Sequence, residues 1–416
     1  MEFIDNEKAF LVDKKTHDAL WVYNTDSFSE FGNQGGWLYA IREQCKIKQP
    51  PILKGNWAYV YICKDFWLAA VDHYATINLF FNDKIITHNW KSIEGYDDPV
   101  GIEQRHILQR MLVGSRTTAK GVKRIPPGHY AINGEIHEYC NFRDLKFPES
   151  KQVVKSFETI CNHANGVTLY SGGTDSYMLA CEAQDKNSYL NITSDTIKYN
   201  VTVLNPNIII NEIKVKPESS WTDNLYTEST MNYKLQALKG SNIDQLVLTG
   251  ETGNAPLMST HLVHAFINQP KLSQQLIVDS VIRLLRNDTH IWNVGPQEDT
   301  LSDDYSEGYK EISNYFLKKL QDKRYAMLTK LVTVYAEEHT NYRLYPYSQH
   351  LKTKWYHPFS TALWASCYAQ NHMVANPKKH LFYIVALRKK FPLTPWSVPK
   401  AGMSIPVKEK HVRTKT

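Results

Sequence analysis

The sequence predicts a mixed α/β protein, in which an amino-terminal antiparallel β-sandwich precedes an α/β unit with flanking helices. Three observations predict this class. Aromatic and β-branched residues alternate between turns in the first third of the chain, as at Trp57 to Ile62. An apolar strand at Gly166 runs through a Gly-Gly turn into a helix, and apolar residues recur at helical spacing from Lys271 to Leu331. Strands and helices that follow one another bury their apolar faces against each other in layers, which is the architecture of an α/β protein.

The amino-terminal unit, residues 1–145, is predicted from strands separated by turns. One strand covers Trp57 to Ile62, and another covers His129 to Ile132 directly before Asn133-Gly134. Asn-Gly between two apolar runs is typical of a two-residue hairpin. The charged run from Arg143 to Lys155 contains a proline, so it is interpreted as a linker to a second unit over 157–407.

The second unit alternates strand and helix patterns. After the strand at Gly166 we expect a helix from Tyr177 to Gln184, and further strand patterns follow at Asn200 to Leu204, Ile208 to Val215 and Gln245 to Leu248. This alternation predicts an α/β sheet. The helical pattern that follows rests on Leu272, Leu276, Val278, Ile282 and Leu285, and then on Tyr309, Ile312, Tyr315, Phe316 and Leu320.

The turn after the strand at Gly166 is the strongest functional signal in the chain. Gly172 and Gly173 let the backbone turn tightly and bring its N–H groups close to an anion, and the next helix adds its positive end. Asp175 could hold the magnesium that accompanies a nucleotide. The hydroxyl groups that could donate to phosphate oxygens belong to Ser171, Thr174 and Ser176. In the alternative interpretation, Asp175 or Ser176 merely caps the helix.

Composition agrees with two globular units and excludes other classes. The chain has 416 residues and 42% apolar content, enough for more than one core. No run approaches the roughly 18–20 consecutive apolar residues that a membrane span needs. The start at Met1 is acidic and polar rather than a cleavable signal, which predicts a cytoplasmic protein without a membrane partner.

The cysteines and charges point to neither a disulfide framework nor nucleic acid. The six cysteines lie far apart without a Cys-x-x-Cys pair, so we expect them to be reduced: Cys45, Cys63, Cys140, Cys161, Cys181 and Cys367. The net charge of +6 is modest and dispersed, which does not indicate nucleic-acid binding. Only the tail 408–416 is densely basic, and it is either a solvated end or a binding segment for an acidic partner.

The run Ser171 to Ser176 resembles the signature of the pyrophosphatase-type ATP-binding fold, or PP-loop, whose enzymes cleave ATP between the α and β phosphates. The order of the surrounding segments resembles the asparagine synthetase superfamily over nearly the whole chain. The segments that carry this resemblance are Gly55 to Tyr61, Trp67 to His73, Ile77 to Phe81, Gly121 to Tyr130, Leu246 to Gly253 and Lys400 to Pro406.

The resemblance implies an amidotransferase-like sandwich over 1–145 and an ATP-pyrophosphatase domain over 157–407, with ATP and Mg²⁺ as cofactors. It implies that Thr249 and Gly250 belong to a second nucleotide loop. Glu251 would be the base that takes a proton from the attacking amine. Lys400 would neutralise developing negative charge, although it could equally be one solvated lysine among many.

The chain departs from the family at its start. Glutamine-using members have a cysteine directly after the initiator Met, whereas residue 2 here is Glu. The resemblance therefore implies a ligase without glutaminase activity, as in the β-lactam synthetase and lasso-peptide cyclase branches. Such a ligase joins a small-molecule or peptide carboxylate to an amine or to ammonia. The sequence leaves the substrates open, and a homodimer is one arrangement that it allows.

The second loop also departs from the family. Asn254 and Ala255 stand where members have Asp and Glu, which removes charge from a magnesium site. For this reason a nucleotide-binding scaffold without catalysis stays open as an alternative. Plain asparagine synthesis is a separate alternative. Tyr356 to Ser360 resembles the element that lines the acyl pocket in the family. His350 and His357 are interpreted as packed or surface histidines, because neither has a partner at metal-binding spacing.

Overall fold

The protein is described from a computed structural model, which confirms the mixed α/β class. It describes residues 2–4, 11–12, 18–24, 34–89, 93, 113–117, 121–140, 149–163, 167–170, 174–183, 187–191, 209–213, 246–252, 273–279, 282, 303–321, 344, 347–348, 354–364 and 389–390.

In the described part of the chain, the strands are β1 (Glu2–Ile4), β2 (Leu11–Val12), β3 (Ala19–Asn24), β4 (Trp57–Ile62), β5 (Trp67–Val71), β6 (Phe80–Phe81), β7 (Ile85–Thr87), β8 (Lys123–Arg124), β9 (His129–Ile132), β10 (Glu135–Glu138), β11 (Val167–Tyr170), β12 (Asn187–Asn191), β13 (Ile209–Ile213), β14 (Val247–Thr249) and β15 (Trp355–Tyr356). The longer helices there are α1 (Gln34–Lys46), α2 (Ser150–His163), α3 (Thr174–Glu182) and α4 (Asp303–Leu320).

Two amino-terminal sheets pack face to face. The first has the order β10-β9-β5-β4-β3-β2, and all its described pairs are antiparallel; the second has the order β1-β7-β6-β8. Ala58 and Val60 point from β4 into a buried apolar cluster that also contains Phe81 and Ile86 of the second sheet. Because strand side chains alternate between faces, neighbouring residues of β4 lie in a different cluster. The sandwich is antiparallel except for β1, which pairs in parallel with β7.

Helix α1 covers the outer face of the six-stranded sheet. Ile41 and Cys45, one helical turn apart, are buried in a cluster with Tyr59 and Tyr61 of β4. No helix was predicted for this segment from the sequence. It gives the amino-terminal unit three layers, with one helix outside two sheets.

The predicted hairpin between β9 and β10 is confirmed. Asn133 and Gly134 have φ of 48° and 91°, the positive values that a type I′ turn requires. Gly128, just before β9, also has a positive φ, and a Cβ there would lie 2.5 Å from the carbonyl oxygen of Cys140. No other residue type fits that position without a shift of the backbone.

The third sheet is entirely parallel in its described pairs and has the order β13-β12-β11-β14-β15. The chain starts in the centre at β11, adds β12 and β13 on one side, and then returns to add β14 and β15 on the other. This order is that of a doubly wound sheet. Strand β12 lies in a segment for which no strand was predicted.

The helices differ from the predictions at their starts. Helix α2 begins at Ser150, so the end of the predicted linker, Arg143 to Lys155, is helical. The Gln152 side chain accepts the backbone N–H of Glu149, half of a capping box, and Val153 and Phe157 bury one face. Helix α3 begins at Thr174, three residues before the predicted start.

The predicted helical pattern toward the carboxyl end is supported where it is described. Residues 274–279 and α4 are helical, and Ile312, Phe316 and Leu320 of α4 are each 1% exposed. Leu276 was assigned to the apolar face but is 52% exposed. None of the helices in the described ranges has the length and apolarity of a membrane span.

Candidate functional site

The candidate site lies where the strand order of the parallel sheet reverses, at the carboxyl ends of β11 and β14. The two strands are adjacent and parallel, with Leu169 opposite Thr249, so the loops that follow them leave the same edge of the sheet. In open α/β sheets, ligands bind in the crevice at such a reversal. The two loops that the sequence predicts for the nucleotide are those that follow these two strands.

The two loops approach each other closely at Gly250. A Cβ placed on Gly250 would lie 2.8 Å from the backbone nitrogen of Ser176 and 3.2 Å from the Cβ of Asp175. Contacts below 3.0 Å are essentially never made by real Cβ atoms, so glycine is required for the observed packing. Gly250 therefore presses its backbone against the first turn of α3.

The first turn of α3 has the properties of an anion site. Helix α3 begins at Thr174, Asp175 in its first turn is partly buried, and Ser176 is buried. The first four N–H groups of a helix have no partner within the helix, and the helix dipole makes this end positive. An acidic residue in the first turn favours the helix by itself, so Asp175 has a structural role as well.

Behind the second loop, Thr249 is paired with a buried histidine. The Thr249 hydroxyl lies 2.6 Å from Nδ1 of His357, which follows the adjacent strand β15. Burial lowers the pKa of His357 to about 3, and the nearby Glu251 carboxylate opposes that shift only in part. His357 is therefore neutral at physiological pH. Its other ring nitrogen, Nε2, has no hydrogen-bond partner among the described residues.

Glu251 is a buried carboxylate with an oriented side chain. It is 8% exposed, and its Oε1 accepts a hydrogen bond of 3.0 Å from the hydroxyl of Tyr347. The Tyr347 ring is itself fixed between the rings of Trp355 and His357, at 4.8 and 4.9 Å between centroids. A fixed, buried carboxylate can accept a proton from a group that binds beside it.

Thr252 ends the described part of this loop with a strained backbone. Its φ is 66°, a value that β-branched residues rarely adopt. The Thr252 hydroxyl shares a hydrogen bond of 2.5 Å with the hydroxyl of Ser360. Strain of this kind persists where surrounding contacts impose it, and it is common at binding sites.

The segment from His357 to Ser360 is held by the amino-terminal sandwich. Asn56 donates a hydrogen bond from Nδ2 to the Ser360 carbonyl oxygen at 2.9 Å and accepts one at Oδ1 from the His357 N–H at 2.7 Å. The same turn is closed by the Ser360 N–H, which donates to the His357 carbonyl oxygen at 2.9 Å. The candidate site is thus in contact with both the amino-terminal sandwich and the parallel sheet.

The predicted site residues are described to different extents. Asp175, Ser176, Thr249, Gly250 and Glu251 come together at one edge of the sheet. The positions that lie outside the described residues are Ser171, Gly172, Gly173, Asn254, Ala255 and Lys400, and the same holds for the side chain of Thr174.

Three residues of the site were not predicted as functional. His357 was interpreted as a packed or surface histidine; in the structure it is buried and lies in contact with Thr249. No role was predicted for Tyr347, and Asn56 lies in Gly55 to Tyr61, a segment that was used only as part of the family resemblance. The Pro-containing aromatic segment from Tyr356 to Ser360 was the one signal that could have drawn attention to His357.

The described residues contain no group of three or more His, Cys, Asp or Glu side chains that could hold a metal ion. A magnesium ion that accompanies a nucleotide does not need such a group. It is usually bound through one or two carboxylates together with phosphate oxygens and water. Asp175, at the turn where phosphate would bind, fits that limited role.

Comparison with known proteins gives no family for this chain. No family model matches it, and no curated protein matches it.

Proposed function

We propose that this protein is an ATP-dependent carbon–nitrogen ligase of the asparagine synthetase type, which forms AMP and has no glutaminase activity. Residues 157–407 would form the ATP-pyrophosphatase domain. Residues 1–145 would form an amidotransferase-like domain without the catalytic cysteine. The proposal rests on the motifs of the sequence together with the geometry at the edge of the parallel sheet.

The observation that carries the proposal is the contact between Gly250 and the first turn of α3. The motifs predict that two segments bind the nucleotide, and their residues Asp175 and Gly250 are 75 positions apart in sequence. They meet at the reversal of strand order, where a ligand-binding crevice is expected in this sheet type. An ordinary helix cap at Asp175 would not require a second glycine loop to pack against it.

The proposed reaction has two steps. A carboxylate oxygen of the substrate attacks the α-phosphorus of ATP, the bond to the bridging oxygen breaks, and pyrophosphate leaves. The amine nitrogen then attacks the acyl carbon, the bond to AMP breaks, and the nitrogen loses one proton. Glu251 would accept that proton, and Tyr347 would orient its carboxylate.

The other residues would position and neutralise charge. Ser171, Gly172, Gly173, Thr174 and Ser176 would hold pyrophosphate, with Thr249 and Gly250 shaping the opposite wall of the crevice. Catalysis of this kind depends mainly on positioning and electrostatics, since ATP supplies the leaving group.

Two charged groups complete the proposed site. Asp175 would hold Mg²⁺, which would supply positive charge beside the pyrophosphate oxygens. Lys400 would stabilise negative charge that develops in the transition state.

The partners would be a small-molecule or peptide carboxylate and an amine or ammonia, in the cytoplasm. If the domain over 1–145 has no glutaminase activity, as proposed, glutamine does not supply the nitrogen by the thiolate route. The nitrogen would come from free ammonia or from an amine within or beside the acyl substrate.

The test is to incubate the purified protein with MgATP and fractionated cell extract, and to quantify AMP and pyrophosphate alongside mass spectrometry of the extract compounds. Stoichiometric AMP and pyrophosphate, together with a carboxylate compound that loses water or gains an amine, would support the ligase. ATP that binds but is never cleaved would support the scaffold alternative instead. Conversion of aspartate and ammonia into asparagine would identify plain asparagine synthesis.

A further inference from the structure

The contacts of Asn56 suggest a role for the amino-terminal sandwich in the candidate site. Asn56 directly precedes β4 of the six-stranded sheet and is 1% exposed. Its amide makes two hydrogen bonds in opposite directions to the backbone after β15, to the His357 N–H and the Ser360 carbonyl oxygen. A side-chain amide can donate and accept at once, so it satisfies both backbone groups of that turn.

The same turn makes the contacts that hold the second predicted nucleotide loop. The His357 ring is paired with the Thr249 hydroxyl, and the Ser360 hydroxyl is paired with Thr252. Glu251 lies between these two residues of the loop. Two connections therefore run from Asn56 to the loop, one through His357 and one through Ser360, and each consists of two buried hydrogen bonds. The positive φ of Thr252 indicates that these contacts impose the loop conformation.

A second contact between the same two sheets provides a comparison. The hydroxyl of Tyr23 on β3 donates to the Trp355 carbonyl oxygen at 2.9 Å and accepts the Trp355 N–H at 3.2 Å. Tyr23 thus binds Trp355, the first residue of β15, whereas Asn56 binds His357 and Ser360, which follow the end of β15. Both contacts join the amino-terminal sandwich to the parallel sheet. Asn56 connects to the loop from Thr249 to Thr252 through the hydrogen bonds of His357 and Ser360. Tyr23 connects to it less directly, through Trp355, whose ring packs on Tyr347, the donor to Glu251.

We propose that Asn56 is a positioning residue of the candidate site, through which the amino-terminal sandwich fixes the conformation of the loop from Thr249 to Thr252. The sandwich would then be a structural part of the site and not only a remnant of a glutaminase domain. The consequence for catalysis rests on the proposed ligase function, whereas the consequence for loop order does not.

The test compares Asn56→Leu, which removes both hydrogen bonds at similar volume, with Tyr23→Phe, which removes the other contact between the sheets. Hydrogen–deuterium exchange is measured in peptides that cover 246–252 and 355–360, and peptides that cover β4 and β5 report on the fold. We expect Asn56→Leu to raise exchange by about tenfold in the first two regions, as the loss of one or two buried hydrogen bonds would. Tyr23→Phe should raise exchange at 246–252 much less, because it leaves the hydrogen bonds of Thr249 and Thr252 in place.

A further variant keeps the proposal testable if Asn56→Leu unfolds. Ser360→Ala leaves the bonds of Asn56 to the backbone but removes the hydroxyl that binds Thr252, and it should raise exchange at 250–252 alone. Equal exchange at 246–252 in wild type, Asn56→Leu and Ser360→Ala would overturn the proposal. So would an equal rise in Asn56→Leu and Tyr23→Phe, because the contact would then act only by joining the sheets.

The activity measurement separates this proposal from the proposed function. If wild type releases pyrophosphate, Asn56→Leu should lower the turnover or the affinity for MgATP more than Tyr23→Phe does. Equal kinetic constants in wild type and Asn56→Leu would contradict the role in the site. If wild type never cleaves ATP but the exchange results hold, the ligase function fails and the positioning role of Asn56 stands.

Discussion

Glu251 is the residue on which the proposed chemistry depends most directly. Its buried carboxylate lies in the second predicted nucleotide loop and accepts a hydrogen bond from the Tyr347 hydroxyl. Glu251→Gln keeps the side-chain volume and an oxygen that can accept from Tyr347, but it removes the proton acceptor. We expect amide formation to slow by about a hundredfold or more, while the affinity for MgATP changes little. Product formation and ATP binding are measured on the same preparation.

Tyr347→Phe is the control for Glu251→Gln. It leaves the carboxylate in place and removes only the donor to Oε1. We expect a smaller loss of rate than in Glu251→Gln, since the base would still be present but less well oriented. Product formation at the wild-type rate in Glu251→Gln would exclude this residue as the base.

The backbone at Thr252 allows a separate prediction about stability. Both Thr252→Ala and Thr252→Gly lose the hydroxyl that binds Ser360, so their difference reports the cost of a Cβ at a φ of 66°. That cost exceeds the entropy that glycine gains in the unfolded chain, and we expect Thr252→Gly to be more stable by about 0.5–1 kcal/mol. Urea unfolding curves of the two variants test this. Greater stability of Thr252→Ala, the usual order elsewhere in proteins, would show that the loop is not strained.

At the scale of the element, the sequence predicts those strands and turns whose signal is local. Strand β11 was predicted because Val167, Leu169 and Tyr170 are apolar between two turns, and all four of its residues are buried. The hairpin at Asn133-Gly134 was predicted because the dipeptide itself supplies positive φ. Helix α1 was missed because two glycines stand near its start and because its packing on the sheet, which a local pattern does not report, stabilises it.

The contact between two elements at Gly250 gives a prediction for an alanine substitution. In Gly250→Ala the new methyl group would lie 2.8 Å from a backbone nitrogen, so β14 and the start of α3 must move apart. We expect a loss of about 1–3 kcal/mol of stability and a loss of ATP binding. Calorimetric titration with MgATP and urea unfolding measure the two effects.

Gly121→Ala is the matched control for that substitution. Gly121 has a φ of 73°, and a Cβ there would meet none of the described atoms within 4 Å, so the change strains the backbone without a clash. It lies before β8 in the amino-terminal sandwich. We expect a stability loss of about 1–2 kcal/mol with ATP binding intact. If both variants bind ATP equally well, the loops at Gly250 and α3 do not form the nucleotide site.

At the scale of the whole molecule, contacts between distant parts of the chain could not be predicted. The hydrogen bond from the His357 N–H to Asn56 joins residues 301 positions apart, and that between the Thr249 hydroxyl and His357 Nδ1 joins residues 108 positions apart. A local pattern reports periodicity and turn chemistry, whereas these pairs follow from how the sheets are placed. The motifs therefore located the two loops but not the residues behind them.

Burial of ionisable groups in both parts of the molecule makes its stability depend on pH. Burial lowers the pKa of His357 to about 3 and that of His73, in the amino-terminal part, to about 4. Burial raises the pKa of Asp72 to about 6, although its carboxylate accepts hydrogen bonds from the N–H groups of Trp57, Tyr74 and Thr76. The histidines and the aspartate thus favour folding in opposite pH ranges.

These groups predict that stability rises with pH near pH 5. Below about pH 6.5 the two histidines are protonated in the unfolded chain but stay neutral in the folded one. Their contribution to the free energy of unfolding is therefore complete above pH 6.5 and is lost as the pH falls toward the folded pKa values of about 4 and 3. Asp72 has the opposite effect, because its folded form keeps a proton up to about pH 6. At pH 5 the unfolded chain therefore binds about two protons on these groups and the folded chain about one.

A histidine substitution tests this difference of about one proton directly. His357→Asn cannot be protonated and keeps a polar group near the position of Nδ1, beside Thr249. Between pH 4.5 and 6, we expect the slope of unfolding free energy against pH to fall by about 1.4 kcal/mol per pH unit relative to wild type, which is the contribution of one proton. Urea unfolding at several pH values measures both slopes. Parallel slopes would mean that His357 is protonated alike in the folded and unfolded states, and the histidine behind Thr249 would then be charged rather than neutral in the site.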